Sequence, residues 1–513
     1  MSNRKRVGRN AHIQARQASK LKPALAVWPG LTGGSYKPLT KTDMEQIHQA
    51  ALTLLASLGL GDPTQELLDI CLPQGAHLNE HGRLCFPKAL MQQLIDGAAK
   101  SYTVYGRGSR LGKNDIHCDA NKVYTSTSGS AVTTLDVETE TYRPSTLQDL
   151  YNFTRLSDAL DNIHMTSDVV VPTDVIDDFE HDINIAYALA AGSEKPMCMS
   201  FRNRESIAPA IEMWDMMLGG EGRFIEQPFC IFGGCPIVSP LKFGADNLGV
   251  LIETSKLGLT SDIAVAPQSG ATAPAPLAGI LAQVVAETLA CLAVVNLVNP
   301  GCGITFAAWP FVTDLRNGSF TGGSGEQAVM SAAAVQMGNF YGLPNSVPAG
   351  MTDAKTPDAQ HGYEKGISIT LAALSGSNRI CEVAGMMASL MGCSFEAMVI
   401  DNDIIGMALR AARGIEVNEE TISLNVIIES TLNPGHFLGH EQTLAYMEKE
   451  YLYPNLSNRE DINTWQDAGN QDIYQAAKIK VQEILSNHDS RYIDADIDAQ
   501  IRARFPIQVR LEN

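Results

Sequence analysis

The stretch NSVPAGMTDAKTPDAQHGYEKGISITLAALSGSNRICEVAGM, Asn345 to Met386, decides the fold. It opens on a short apolar segment, NSVPAGM, and turns abruptly polar. A helical pattern from Asp358 then stops at Gly376, and a second apolar segment, RICEVAGM, begins at Arg379. Neither apolar segment alternates with polar residues, as expected of strands buried on both faces. The unit therefore reads as strand, helix, strand. Just beyond its first strand stand Asp353, Lys355, Asp358, Gln360, His361, Tyr363, Glu364 and Lys365.

The same rhythm extends in both directions. Apolar strands are expected at 122–129, 162–171, 196–201, 228–234, 261–267, 303–309, 345–351 and 379–386, each followed by a helical segment. Several of these helices run out at a glycine, as at Gly192, Gly219, Gly258 and Gly414. Eight such units predict an α/β fold, a TIM (β/α)8 barrel over residues 121–414. A doubly wound open sheet shares the rhythm, but no GxGxxG follows the first strand. Ahead of the barrel, 36–120 reads as an extension of helices and small strands, with Thr40 or Thr42 capping TKTDMEQIHQAALTLLASLGLG. Residues 1–35 read as a basic flexible arm and 415–513 as a C-terminal helical extension. The charged tail is expected to wrap the barrel or to contact a second subunit, so a homo-oligomer is anticipated.

Composition narrows the partners. A formal net charge of -19 argues against nucleic acid or an anionic membrane surface, which need clustered cations. It is compatible with a cationic ligand. The ten cysteines include no CxxC pair, which points to reduced thiols in a cytoplasmic protein. A zinc site from distant ligands such as Cys235 and Cys302 stays open, although motif spacing is absent. The most apolar segment, Pro276 to Val298, carries Gln283 and Glu287 and is expected to be a buried scaffold helix.

Barrel chemistry sits at the carboxyl ends of the strands. That rule selects Phe232 to Cys235, Gln268, Ser269, Trp309, Phe311, Asp353 to Lys355 and Glu382, with His361 a turn further on. Each has a structural alternative: Asp353 or Asp358 as a helix cap, Trp309 and Phe311 as packing, Glu382 as partner to a strand cation. His436 and His440 read as satisfied hydrogen-bonders or as residues closing one side of the rim. GxSxG, a P-loop and HExxH are all absent, so no hydrolytic or metal motif stands out.

The segments GEQAVMSAAAVQMGNFYGLP (325–344), AGMTDAKTPDAQHGYEKG (349–366), ASLMGCSFEAMVIDNDIIGM (388–407) and GHFLGHEQTLAYM (435–447) resemble the trimethylamine methyltransferase family. The resemblance implies a TIM-barrel enzyme that passes a methyl group from a methylamine to the cobalt of a corrinoid (cobalamin) carried by a separate corrinoid-binding protein, with no tightly bound cofactor of its own. One branch of the family carries pyrrolysine. All 513 residues here are standard, so the resemblance is to the branch lacking it, whose substrates include glycine betaine. The equivalent position is expected near Gly350 and Met351.

A quaternary amine leaves as a neutral tertiary amine and needs no acid, so the expected substrate is a small quaternary amine, glycine betaine or a related betaine. Its methylammonium head favours aromatic faces and carboxylates. Phe232, Trp309 and Phe311 are the cage candidates and Glu382 or Asp353 the countercharge. Gln268, His361 and the helix N-terminus after the seventh strand are the donors expected for the carboxylate. No catalytic residue is assigned and no metal ligand is expected. A metal-dependent lyase or decarboxylase on a small acid, and a non-catalytic betaine-binding subunit, remain as alternatives.

Overall fold

The computed structural model describes residues 25–136, 138–433, 435–488 and 492–511. Residues 1–24, the greater part of the expected basic arm, lie outside them. The barrel strands are β1 (Lys122–Thr125), β2 (Thr166–Ser167), β3 (Met197–Ser200), β4 (Cys230–Gly234), β5 (Ser261–Ile263), β6 (Ile304–Thr305), β7 (Ser346–Val347) and β8 (Arg379–Ile380).

Every neighbouring pair is parallel. Met197 lies opposite Thr166 and Cys230, Ser261 opposite Phe232 and Ile304, and Arg379 opposite Ser346 and Tyr124. Single bridges Ser126–Met165 and Phe306–Asn345 join β1 to β2 and β6 to β7. The ring therefore closes, and the protein is a TIM barrel.

Helices α1 (Leu147–Ala159), α2 (Asp178–Gly192), α3 (Ile207–Leu218), α4 (Ala245–Lys256), α5 (Leu277–Val298), α6 (Gly325–Phe340), α7 (Ala359–Ser375) and α8 (Phe395–Arg413) follow the strands in turn. Side-chain caps start several of them: Thr146 for α1, Asp177 for α2, Ser324 for α6 and Asp358 for α7. Gly219 ends α3 at φ 86°, a left-handed conformation costly for other residues. Gly192 differs from expectation: it is the last residue of α2, and Ser193 follows in an extended conformation. In α7, buried His361, Glu364, Lys365 and Ser368 fall at helical spacing and turn one polar face inward. Helix α5 is long and apolar enough to cross a membrane, yet 83% of its most apolar window is buried within the protein.

The N-terminal extension contributes a helix, Lys41–Thr53, held by a Thr40/Asp43 capping box. It also supplies a hairpin of Tyr102–Val104 and Ile116–Cys118. Val104, Ile116 and Cys118 of the hairpin form one buried cluster with Tyr124, Met165, Cys198 and Ile231 from β1 to β4. The Tyr102 hydroxyl adds a hydrogen bond to Thr305 at 2.8 Å. This hairpin plugs the barrel floor.

Residues 25–28 and 414–453 form a compact unit of their own. It contains helices Leu424–Leu432 and Glu441–Tyr446 and an ion pair between Lys449 and Glu416 at 3.3 Å. The remaining C-terminal residues belong with the barrel. The Asp403 carboxylate on α8 accepts from the backbone amides of Asn455, Leu456 and Ser457. Asp498 bonds the Tyr187 hydroxyl of α2.

Candidate active site

A cavity of about 240 Å³ opens among the carboxyl ends of the strands. Strand alternation sets part of its wall. In β4, Ile231 points into the floor cluster and Gly233 lines the cavity, which turns Phe232 outward. There Phe232 stacks on Phe201 at 5.6 Å and lies 6.3 Å from Trp214 of α3. Phe232 thus packs between strand and helix rather than facing the cavity.

Trp309 and Phe311 do line it, on the segment that follows β6. Their rings meet edge to face, 6.4 Å apart at 75°. Phe320 holds Phe311 from behind at 4.8 Å. The Trp309 indole N–H donates to the Ser346 hydroxyl at 3.2 Å, and Ser346 donates to Asp262 at 3.0 Å. The other Asp262 oxygen pairs with the Arg379 guanidinium at 2.6 Å. Asp262 and Arg379 are both buried and both line the cavity.

Glu382 lines the same cavity, 1% exposed, with Oε2 lacking a hydrogen-bond partner among the described residues. Its φ of 64° is left-handed, a conformation that costs a non-glycine residue about 1–3 kcal/mol. Burial pushes its carboxyl up to about 8, and the Lys365 charge opposes this. Lys365 is committed elsewhere, to Asp401 at 2.6 Å. Asp168 provides a second carboxylate. Burial pushes it up to about 6, while hydroxyl donors Ser167 (2.9 Å) and Ser130 (3.2 Å) act the other way.

Gly234 and Cys235 also line this cavity, and the remaining candidates lie outside it. Asp353 accepts from the Gly322 and Gly323 amides and from Ser389 Oγ at 2.7 Å, tying the loop after β6 to the loop after β8. His361 Nε2 meets Asp401 at 2.8 Å beneath the rim. Gln268 pairs with Phe311 through the backbone, and its amide N–H donates to Thr272. Asp358, not Asp353, caps α7. His436 and His440 each accept from a backbone amide two or three residues on, capping short helices of their own unit. At Gly350 a Cβ would overlap the Val383 backbone, so no side chain fits there, and Met351 is fully buried. All ten cysteines are unpaired, and no cluster of three or more metal-ligating side chains occurs among the described residues.

Three charged cavity residues escaped the sequence reading: Asp168, Asp262 and Arg379. The signal was available. SDIAVAP and RICEVAGM each carry a charge inside a strand buried on both faces, the anomaly that singled out Glu382.

The sequence pattern of the trimethylamine methyltransferase (MTTB) family matches residues 5–508. The chain is 28% identical to a glycine betaine methyltransferase of Desulfitobacterium hafniense, over 91% of this chain and 96% of that one. It is 29% identical to the trimethylamine methyltransferase MttB of Methanosarcina thermophila, over 94% and 99%. The crystal structure of the Methanosarcina barkeri monomethylamine methyltransferase MtmB is similar at a TM-score of 0.49 and 14% identity, covering 87% of this chain and 88% of that one. With a match that runs almost end to end, the chain belongs to the trimethylamine methyltransferase family and is a methyltransferase.

Proposed function

We propose that the chain moves a methyl group from a quaternary amine, glycine betaine or a related betaine, to the Co(I) of a corrinoid carried by a separate protein. The observation that carries this reading is the pairing, in one cavity, of two aromatic rings with two carboxyl groups of raised pKa. A methylammonium head cannot donate a conventional hydrogen bond, and it gains about 0.5–2 kcal/mol from each aromatic face. Trp309 and Phe311 offer those faces, and Glu382 and Asp168 the countercharge.

The chain supplies no nucleophile of its own for this step. The Cys198 and Cys235 thiols on the cavity wall are pushed up to about 12 and about 11 by burial and stay protonated. The corrinoid, brought by its carrier, would supply the attacking electron pair. As the carbon–nitrogen bond breaks, its pair remains on nitrogen and the product is a neutral tertiary amine, so no proton must move. The residues here bind, orient and keep water out, which places the contribution of the protein in positioning. Glu382 would hold the cationic head at the level of the rim, where an acceptor arriving from outside can reach a methyl carbon.

The test is methyl transfer to cob(I)alamin, free or on its partner protein, with glycine betaine, proline betaine, carnitine and trimethylamine offered in turn. Demethylation of a betaine supports the reading. Turnover of trimethylamine with none of the quaternary amines overturns it.

A further inference from the structure

We infer that Arg379 recognises an anionic group on the substrate, so that the site selects a zwitterion, a quaternary amine that also bears a carboxylate, over a bare tetraalkylammonium. This rests on the quaternary-amine reading and adds the residue that reads the other end of the molecule.

The argument begins with a donor count. A guanidinium carries five N–H donors. Arg379 Nη2 pairs with Asp262 Oδ2 at 2.6 Å, and Nε donates to Cys381 Sγ at 3.2 Å. Nη1 is buried and has no hydrogen-bond partner among the described residues. The remaining Asp262 oxygen is taken by Ser346, and the neighbouring Cys198 thiol is a weak acceptor at best. A buried charged donor without a partner is costly, so this one is matched to an acceptor that arrives with the ligand. Arg379 is also the one cation among the described residues lining the cavity.

Position supports the assignment. Arg379 opens β8 and pairs in register with Ser346 and Tyr124, at the level of the floor cluster. Glu382 stands three residues closer to the rim. A zwitterion whose methyl groups face the rim, as an external acceptor demands, turns its carboxylate toward Arg379. The pairing with Asp262 also matters. It leaves the floor without net charge, so a simple anion is weakly attracted, whereas a zwitterion engages both ends at once.

Binding is measured by calorimetry on the full chain with glycine betaine, glycine betaine methyl ester and choline, which share one head and differ in the acid. The expected result is a roughly tenfold or greater preference for glycine betaine, about 1.4 kcal/mol. Arg379→Met combined with Asp262→Asn removes the pair together and avoids stranding a buried charge. In that variant, checked by thermal melting, the preference collapses toward unity. Equal binding of betaine and ester by the native chain overturns the inference even if no variant folds. So does a preference that survives in a folded variant. Absence of methyl transfer from any quaternary amine strikes the function proposed above instead, because the calorimetric preference is read without turnover.

Discussion

Arg379 and Glu382 lie three residues apart on one segment and yet line the same cavity. In a regular strand, side chains three apart point to opposite faces. The left-handed φ of Glu382 breaks that alternation and turns its carboxyl back inward. A guanidinium at the floor and a carboxyl nearer the rim therefore come from a single strand end.

Glu382 makes stability and binding depend on pH. Its carboxyl titrates near 8 in the folded chain and in the ordinary glutamate range when unfolded. The folded state then holds the extra proton, so this contribution is complete below the unfolded value and lost as pH rises through about 8. Denaturant unfolding should show native stability falling by on the order of 3 kcal/mol between pH 5 and pH 8, with Glu382→Gln removing most of that slope. A cationic ligand favours the ionised form, so betaine binding at pH 7 should release a proton. Calorimetry in buffers of different protonation enthalpy should detect it, and Glu382→Gln should abolish it. A slope unchanged in the variant would assign the pH dependence to Asp168 and the remaining carboxyls.

Trp309 combines a ring facing the cavity with a bond to Ser346. Trp309→Ala should weaken betaine binding about 3- to 30-fold. Trp309→Phe keeps an aromatic face and loses only the N–H donor, so its effect should be markedly smaller. Equal losses in the two variants would place the function of Trp309 in the Ser346 contact.

Lys365, Asp401 and His361 form a buried charged network between α7 and α8, and Asp401 also accepts from the Gly385 amide. Lys365→Met takes the ammonium away from the buried Asp401 and should cost about 3–5 kcal/mol. Pairing it with Asp401→Leu should recover a large part of the loss. Chemical denaturation of the single and double variants measures both, and additive losses would show that the pair is not coupled.

Gly350→Ala inserts a methyl against the Val383 backbone, beside Glu382. Backbone cannot swing aside as a side chain can, so a loss of about 2 kcal/mol or more is expected. Betaine affinity should fall with it as Glu382 moves. A variant with native melting temperature and native affinity would show that β7 and β8 separate easily.

The barrel was legible because its signal repeats: eight apolar, non-alternating segments with helices between them leave few alternatives. Trp309, Phe311 and Glu382 were found by the strand-end rule, and the structure places all three on the cavity. The same rule also chose Phe232, whose outward direction depends on which register of the alternation faces inward. Gln268 and Asp353 share the rim level but serve backbone and loop geometry, and His361 lies beneath it, bonded to Asp401. Arg379 and Asp262 each left a local sign, a charge in an apolar strand, but their pairing across 117 positions of chain, from β5 to β8, is visible only in the fold.

The hairpin that stoppers the barrel from below has a kinetic consequence. For the proposed methyl transfer, a pocket with a blocked base would share one doorway between the amine and a corrinoid carrier. The amine would then have to be seated before the carrier arrives, and the demethylated product would stay behind until the carrier departs, a compulsory order of arrival and departure.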